Sequence, residues 1–169
     1  NHENTIITHD AGHPRDQIMP FYKATIPNSY IGWGKSTHLG YGIGLAIGAK
    51  IAYPDKFVVN FMGDAAFGMA GLDIETSVRS GYPITTIILD NGTMGGYDHH
   101  QPTAMSKYGA GNMTGSYTTI AKGLGAQGID VDKPEEIGPA IKQAEKLNIE
   151  GKSVLINVKT QQENKFSIY

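Results

Sequence analysis

The sequence predicts one α/β domain: a parallel sheet flanked by helices on both faces. Three observations predict it. Short apolar runs alternate with stretches of helical spacing. The runs are near-continuous rather than alternating, the pattern of strands buried on both faces. The chain has 169 residues, enough for one domain with a true core and too few for two.

In chain order, Thr5 to Thr8 is a short β-branched strand. Gly40 to Tyr53 is apolar nearly all round and rich in small residues, which suits a buried helix, and Pro54-Asp55 ends it. Phe57 to Met62 is a strand that runs into Gly63-Asp64. Ala65 to Ser80 has helical spacing, with Phe67, Leu72, Ile74 and Val78 apolar and Gly81 as the C-cap. Pro83 precedes the strand Ile84 to Leu89, which runs into Asp90-Asn91-Gly92. An irregular stretch extends from Thr93 to about Gly115. Tyr117 to Gly125 and Pro134 to Leu147 read as helices, and Ser153 to Val158 is the last strand. The polar tail from Lys159 is expected to be an exposed end.

Composition removes several function classes. The net charge is −2, with no basic stripe, so nucleic acid and anionic membranes are not expected partners. No apolar run approaches the ~20 residues of a membrane span, and no signal-peptide pattern opens the chain. The absence of cysteine excludes disulfides and thiolate metal ligands and fits a cytoplasmic protein. The chain starts at Asn1, consistent with a piece of something longer. Most of its 22 glycines cluster at 32–48, 63–71, 92–96 and 109–128. Those are the stretches where chemistry is expected, because glycine marks turns and close backbone approaches.

Ligands of a parallel α/β sheet bind at the carboxyl ends of its strands, where Gly63-Asp64 and Asp90-Asn91-Gly92 fall. A helix start attracts phosphate through its free N–H groups and dipole. A carboxylate there would repel phosphate unless a cation sat between them, so Asp64 suggests a bridging divalent metal. Asp64 would equally serve as a plain N-cap, and Asn91-Gly92 alone reads as a turn. One strand–helix–strand unit separates Asp64 from Asn91, which puts them on neighbouring strand ends. An Asp carboxylate, an Asn amide oxygen and a backbone carbonyl form a hard-oxygen set suited to Mg²⁺.

Together, Gly63-Asp64-Ala65 and Asp90-Asn91 resemble the thiamine diphosphate (ThDP) signature, Gly-Asp-Gly followed after roughly two dozen residues by Asn-Asn. The intervening GMAGLDIETSVRSGYPITTIIL follows the same family pattern. Leu39 to Ala49 resembles the acetolactate-synthase-type segment in which a bulky apolar residue precedes Gly-aromatic-Gly. Asp10-Ala11-Gly12-His13 is similar to the segment that reaches the diphosphate. The resemblance covers residues 5–100 well and points to the acetolactate synthase, benzoylformate decarboxylase and pyruvate decarboxylase group.

The resemblance implies these roles. Asp64, Asn91 and the carbonyl of Thr93 ligate Mg²⁺. Gly63 and the amides of Ala65 and Ala66 meet the diphosphate, and Gly12 and His13 approach it from the other side. Thr37 and Leu39 line the cofactor's middle, Leu39 wedging under the thiazolium. Met94 and Gly95 close over it. Ala65 replaces the signature's last glycine, and Asp90 replaces its first asparagine. A helical φ would make the Ala65 methyl harmless; Asp90 would either tighten the metal or pair elsewhere.

Beyond the motif, His99, His100 and Gln101 are candidate acid–base or substrate groups, with a solvated polar loop as the plainer alternative. Trp33 could line the pocket or serve packing. Glu75 is expected to make a structural contact. In the family, a glutamate on a separate pyrimidine-binding domain activates the cofactor, so the chain is expected to need that domain from its own or another chain, in a homo-oligomer.

The implied reaction makes or breaks a C–C bond next to a carbonyl, on a 2-oxo acid or acyl donor. The alternatives are the small subunit of a two-chain 2-oxo acid decarboxylase and a non-catalytic module of the same fold. A nucleotide-binding Rossmann domain is disfavoured, because no G-x-G-x-x-G follows a strand with an acidic residue suitably placed downstream.

Overall fold

The expected alternation is realised as six parallel strands in the order β2-β1-β3-β4-β6-β5. A computed structural model describes residues 2–32 and 38–162; the expectations for Trp33 and Thr37 lie outside the described residues. The strands are β1 (Thr5–His9), β2 (Tyr30–Ile31), β3 (Phe57–Gly63), β4 (Thr85–Asp90), β5 (Gln127–Val131) and β6 (Val154–Lys159). The helices are α1 (His13–Ile18), α2 (Tyr41–Ala52), α3 (Asp64–Ala70), α4 (Ile74–Ser80), α5 (Tyr97–His100), α6 (Pro102–Tyr108), α7 (Tyr117–Gly123) and α8 (Pro134–Ile149). Among the described residues no helix is long and apolar enough to cross a membrane.

Each apolar run supplies two faces, because successive strand residues point to opposite sides. Val58, Met62, Ile88 and Leu155 meet Ile43 and Ala46 of α2, Phe67 of α3, Ile74 of α4 and Ala121 of α7 in one core. Phe57, Val59, Ile87, Ile156 and Val158 meet Ala140 and Ala144 of α8 in the other. From β1 the chain moves to β2 on one side and then to β3 on the other. The loops leaving β1 and β3 therefore diverge, and a crevice opens between their carboxyl ends.

Two expectations are corrected, and an edge strand was not foreseen. The helix foreseen over Ala65 to Ser80 is two helices joined by a 3-10 turn at Gly71–Asp73. The chain tightens there over the Phe67 ring, where a Cβ on Gly71 would stand 2.6 Å from the ring edge. The break rotates Leu72 off the apolar face and leaves it 70% exposed. The stretch from Thr93 to Gly115 contains α5 and α6; α6 begins at Pro102 and stops at Gly109 with φ +59°, the proline-first, glycine-last signature of a helix. β5 was not foreseen because it is a half-exposed edge strand carrying Gly128 and Asp130. The tail from Lys159 is exposed as far as it is described, as expected; Lys159 completes β6, and the Thr160 N–H donates to the Asp90 carbonyl (2.9 Å).

Candidate functional site

The loop leaving β1 lines one side of the crevice. Its first residue, Asp10, is buried and turned back into the fold. Its Oδ1 accepts from the N–H groups of Ala11 and Gly40 (both 2.9 Å), and its Oδ2 from those of Gly40 and Gly42 (both 3.1 Å). The carboxylate thus sits at the start of α2, where N–H groups lack helical partners and the dipole favours negative charge. Burial raises its pKa despite these bonds. Leu39 immediately precedes Gly40, one of the residues Asp10 holds. Gly12 then turns the chain at φ +82°, a conformation glycine adopts at no steric cost, and α1 begins at His13-Pro14.

Asp64 opens α3 directly from β3 and is 2% exposed. Its Oδ1 accepts from the Ala65 N–H and its Oδ2 from the Gly92 N–H, both at 2.8 Å. The second bond ties the end of β3 to the turn after β4 and brings Asp64 beside Asn91. The Ala65 amide, expected at the diphosphate, here orients the carboxylate. Ala65 lies inside α3 and is not among the positive-φ residues, so its methyl is accommodated without strain. Burial raises the Asp64 pKa, and the Asp90 charge adds to that effect while the backbone N–H groups oppose it.

Asn91 Oδ1 accepts from the Thr93 N–H (3.0 Å), closing a local turn. Residues 92–94 are zipped to 111–113: Met113 N–H donates to the Gly92 carbonyl (3.0 Å), Met94 N–H donates to the Gly111 carbonyl (2.7 Å), and Thr93 bridges Asn112. These bonds fix the loop that carries Thr93. Asp90 does not turn toward Asp64 as a ligand; it pairs with Lys159 and Asn157 of β6.

These elements enclose a cavity of about 630 Å³. Gly12, His13, Leu39, Gly63, Asp64, Ala65, Ala66, Asn91, Thr93, Met94 and Gly95 all line it. Its two sides meet where Gly95 packs on the His13 ring; a Cβ on Gly95 would lie 2.7 Å from His13 Cε1. His100 lines the cavity, whereas His99 and Gln101 do not. Glu75 pairs with Arg79 one helical turn away (3.0 Å), a structural contact as expected. Arg15, Gln17, Tyr97, Thr160 and Gln161 also line the cavity and were not foreseen. Pro14 at the first turn of α1 was the available signal for Arg15 and Gln17; nothing in the sequence marked Thr160 or Gln161.

The donors fit a hard divalent cation. Among the described residues no group of three or more His, Cys, Asp or Glu side chains could hold a metal, so an ion here must be held partly by amide and backbone oxygens. Asp64 supplies a buried carboxylate whose hydrogen-bond partners are two backbone amides rather than a basic side chain. A carboxylate and an amide oxygen each keep a lone pair for a metal while accepting one N–H.

Comparison with known proteins bears on this geometry. The family described as thiamine pyrophosphate enzyme, C-terminal TPP binding domain, matches residues 10–158. A sulfoacetaldehyde acetyltransferase of Alcaligenes xylosoxydans xylosoxydans is 31% identical over 156 residues, covering 90% of this chain and 26% of that protein. A probable acetolactate synthase large subunit of Methanococcus aeolicus is 31% identical over 145 residues, covering 84% of this chain and 24% of its own. A Rhodococcus jostii RHA1 thiamine diphosphate-dependent 4-hydroxybenzoylformate decarboxylase shares the fold at a TM-score of 0.81 and 23% identity, over 96% of this chain and 31% of that one. The chain spans about a quarter of the length of these curated relatives.

Proposed function

The chain belongs to the thiamine pyrophosphate enzyme family as its C-terminal TPP-binding domain, and from that premise we propose that it grips the ThDP diphosphate through Mg²⁺ held by Asp64, Asn91 and the Thr93 carbonyl. The enzyme it serves makes or breaks a C–C bond next to a carbonyl, on a 2-oxo acid or acyl donor. One observation carries this reading: a buried carboxylate with no basic side-chain partner among the described residues lines a cavity beside an asparagine on the next strand end.

ThDP supplies a nucleophilic carbon and an electron sink for the resulting carbanion. The chain's residues would bind and orient. Asp64 and Asn91 would hold the cation, and the 92–94 loop, tied to 111–113, would bring the Thr93 carbonyl as a third ligand. Gly12 lets the backbone approach the diphosphate closely, while Leu39 offers an apolar support for the cofactor's middle. His13 packs under Gly95 at the cavity wall, where the two sides of the site meet. His100, set at the cavity wall, is the group placed to hold or move a proton at the substrate. The aminopyrimidine end falls to a pyrimidine-binding domain of the same or another chain, in a homo-oligomer.

Substituting Asp64→Ala or Asn91→Ala in the natural full-length protein tests the reading. The expected result is loss of turnover and of Mg²⁺-dependent ThDP binding in both variants with the fold retained. Metal-dependent binding that survives both changes would defeat it.

A further inference from the structure

Asp90 stands in the position of the signature's first asparagine and brings a second carboxylate to the metal end of the sheet. We propose that Lys159 and Asn157 clamp Asp90 and hold its carboxylate away from the cation bound by Asp64 and Asn91, which makes Lys159 a positioning residue of the metal site. The proposal rests on the metal reading above.

The geometry is that of one face of a strand pair. Asp90 lies opposite Lys159 in the β4–β6 register, and Ile88 lies opposite Asn157. Asp90, Asn157 and Lys159 therefore share a face. Asn157 Nδ2 donates to Asp90 Oδ2 (3.2 Å), and Lys159 Nζ donates to the same oxygen. The Thr160 N–H holds the Asp90 carbonyl, so the backbone immediately before Asn91 is pinned as well. Asp90 is 4% exposed, while the Lys159 side chain is 54% exposed. The cation is thus supplied from the solvent side to a buried anion.

Asp90 immediately precedes Asn91, and the Gly92 N–H donates to Asp64 Oδ2 (2.8 Å), so the two carboxylates flank the same turn. A second cavity of about 230 Å³, bordered by Asp90, Asn91, Tyr117 and Lys159, gives a small ion access to this side. A carboxylate binds a hard cation more strongly than an amide oxygen. An unpaired Asp90 would compete with Asn91 for the metal and draw it off the diphosphate. An exposed ion pair contributes little by itself, but stripping the cation from a buried carboxylate leaves an uncompensated charge. The effect of losing Lys159 should therefore depend on Asp90 being an acid.

A substitution cycle in the natural full-length protein, read as the ThDP dissociation constant at fixed Mg²⁺ and as the Mg²⁺ concentration for half-maximal ThDP binding, tests this. Lys159→Met should weaken both by about ten-fold, as an unpaired buried charge requires. Lys159→Arg should restore them. In an Asp90→Asn background, Lys159→Met should shift either value by less than about two-fold, because the pair it breaks no longer exists. Equal shifts in the two backgrounds, or none in either, overturn the clamp. Should Lys159→Met fail to fold, the double variant decides. Binding like that of Asp90→Asn alone supports the proposal, and a further ten-fold loss overturns it. A parent protein that binds ThDP without regard to Mg²⁺ overturns the metal reading and the clamp together, whereas a Mg²⁺-dependent parent with an additive cycle overturns the clamp alone.

Discussion

Asp10 and Asp64 are both buried carboxylates at strand ends, and the atoms around them separate their work. Asp10 spends both oxygens on the amides of Ala11, Gly40 and Gly42. Asp10→Ala would leave buried donors unpaired at the start of α2, and a cost of about 2–3 kcal/mol is expected, measurable by urea unfolding. The pH dependence has a definite sign. Burial raises the folded-state pKa above the ordinary 3.8. A group shifted that way contributes stability that is fully present below its unfolded value and is lost as pH rises through the folded one. The stability gap between the parent and Asp10→Ala should therefore narrow as pH rises above 3.8; a gap that widens contradicts the assignment. Among the histidines, position sorts the candidates. His100 faces the cavity and His99 does not, so His100→Ala should lower kcat by about 10²-fold or more if it moves a proton, with His99→Ala near parent; steady-state kinetics of the full-length protein checks both. Spacing alone brought Asp64 and Asn91 together. It could not separate His99 from His100, because the direction of each is set by the short α5 helix and the turn that starts it at Gly96, φ +80°.

At the scale of elements, close approach governs α2. Thr8 Oγ1 donates to Asn60 Oδ1 (3.0 Å) and also reaches the Gly42 carbonyl (3.2 Å). A Cβ on Gly42 would collide with Asn60 Oδ1. Gly42→Ala should therefore destabilise by about 1–3 kcal/mol, the range for overpacking a tight site. Ala65 behaves in the opposite sense. It is helical and buried in α3, so Ala65→Gly should lose about 0.5–1 kcal/mol through backbone entropy and bring no gain in ThDP affinity. Thermal unfolding with a parallel ThDP titration checks both. The strands legible from sequence were those with continuous apolar runs, namely β1, β3, β4 and β6, because burial on both faces leaves a strong signal. β2 has two residues, and β5 is a half-exposed edge strand; neither needs an apolar run. The break between α3 and α4 escaped because it depends on how Gly71 meets Phe67, a contact that periodicity does not record.

At the scale of the molecule, the strand order places the cavity. The chain reverses direction across the sheet at β1 and β3, and the loops that diverge there carry Gly12 and His13 on one side and Asp64 to Ala66 on the other. The tail beyond β6 joins them, with Thr160 and Gln161 on the cavity wall. Its polar composition predicted an exposed end, and residues 159–162 are exposed even where they border the cavity. The central claim is that one small dication sits between Asp64 and Asn91. The most direct measurement is to crystallise the natural full-length protein with ThDP and Mn²⁺ in place of Mg²⁺, and to locate the ion by its anomalous scattering. The account predicts one ion at about 2.0–2.3 Å from an Asp64 carboxylate oxygen, Asn91 Oδ1 and the Thr93 carbonyl. An ion seated on Asp90 instead, or ThDP bound with no ion between its diphosphate and Asp64, would contradict it.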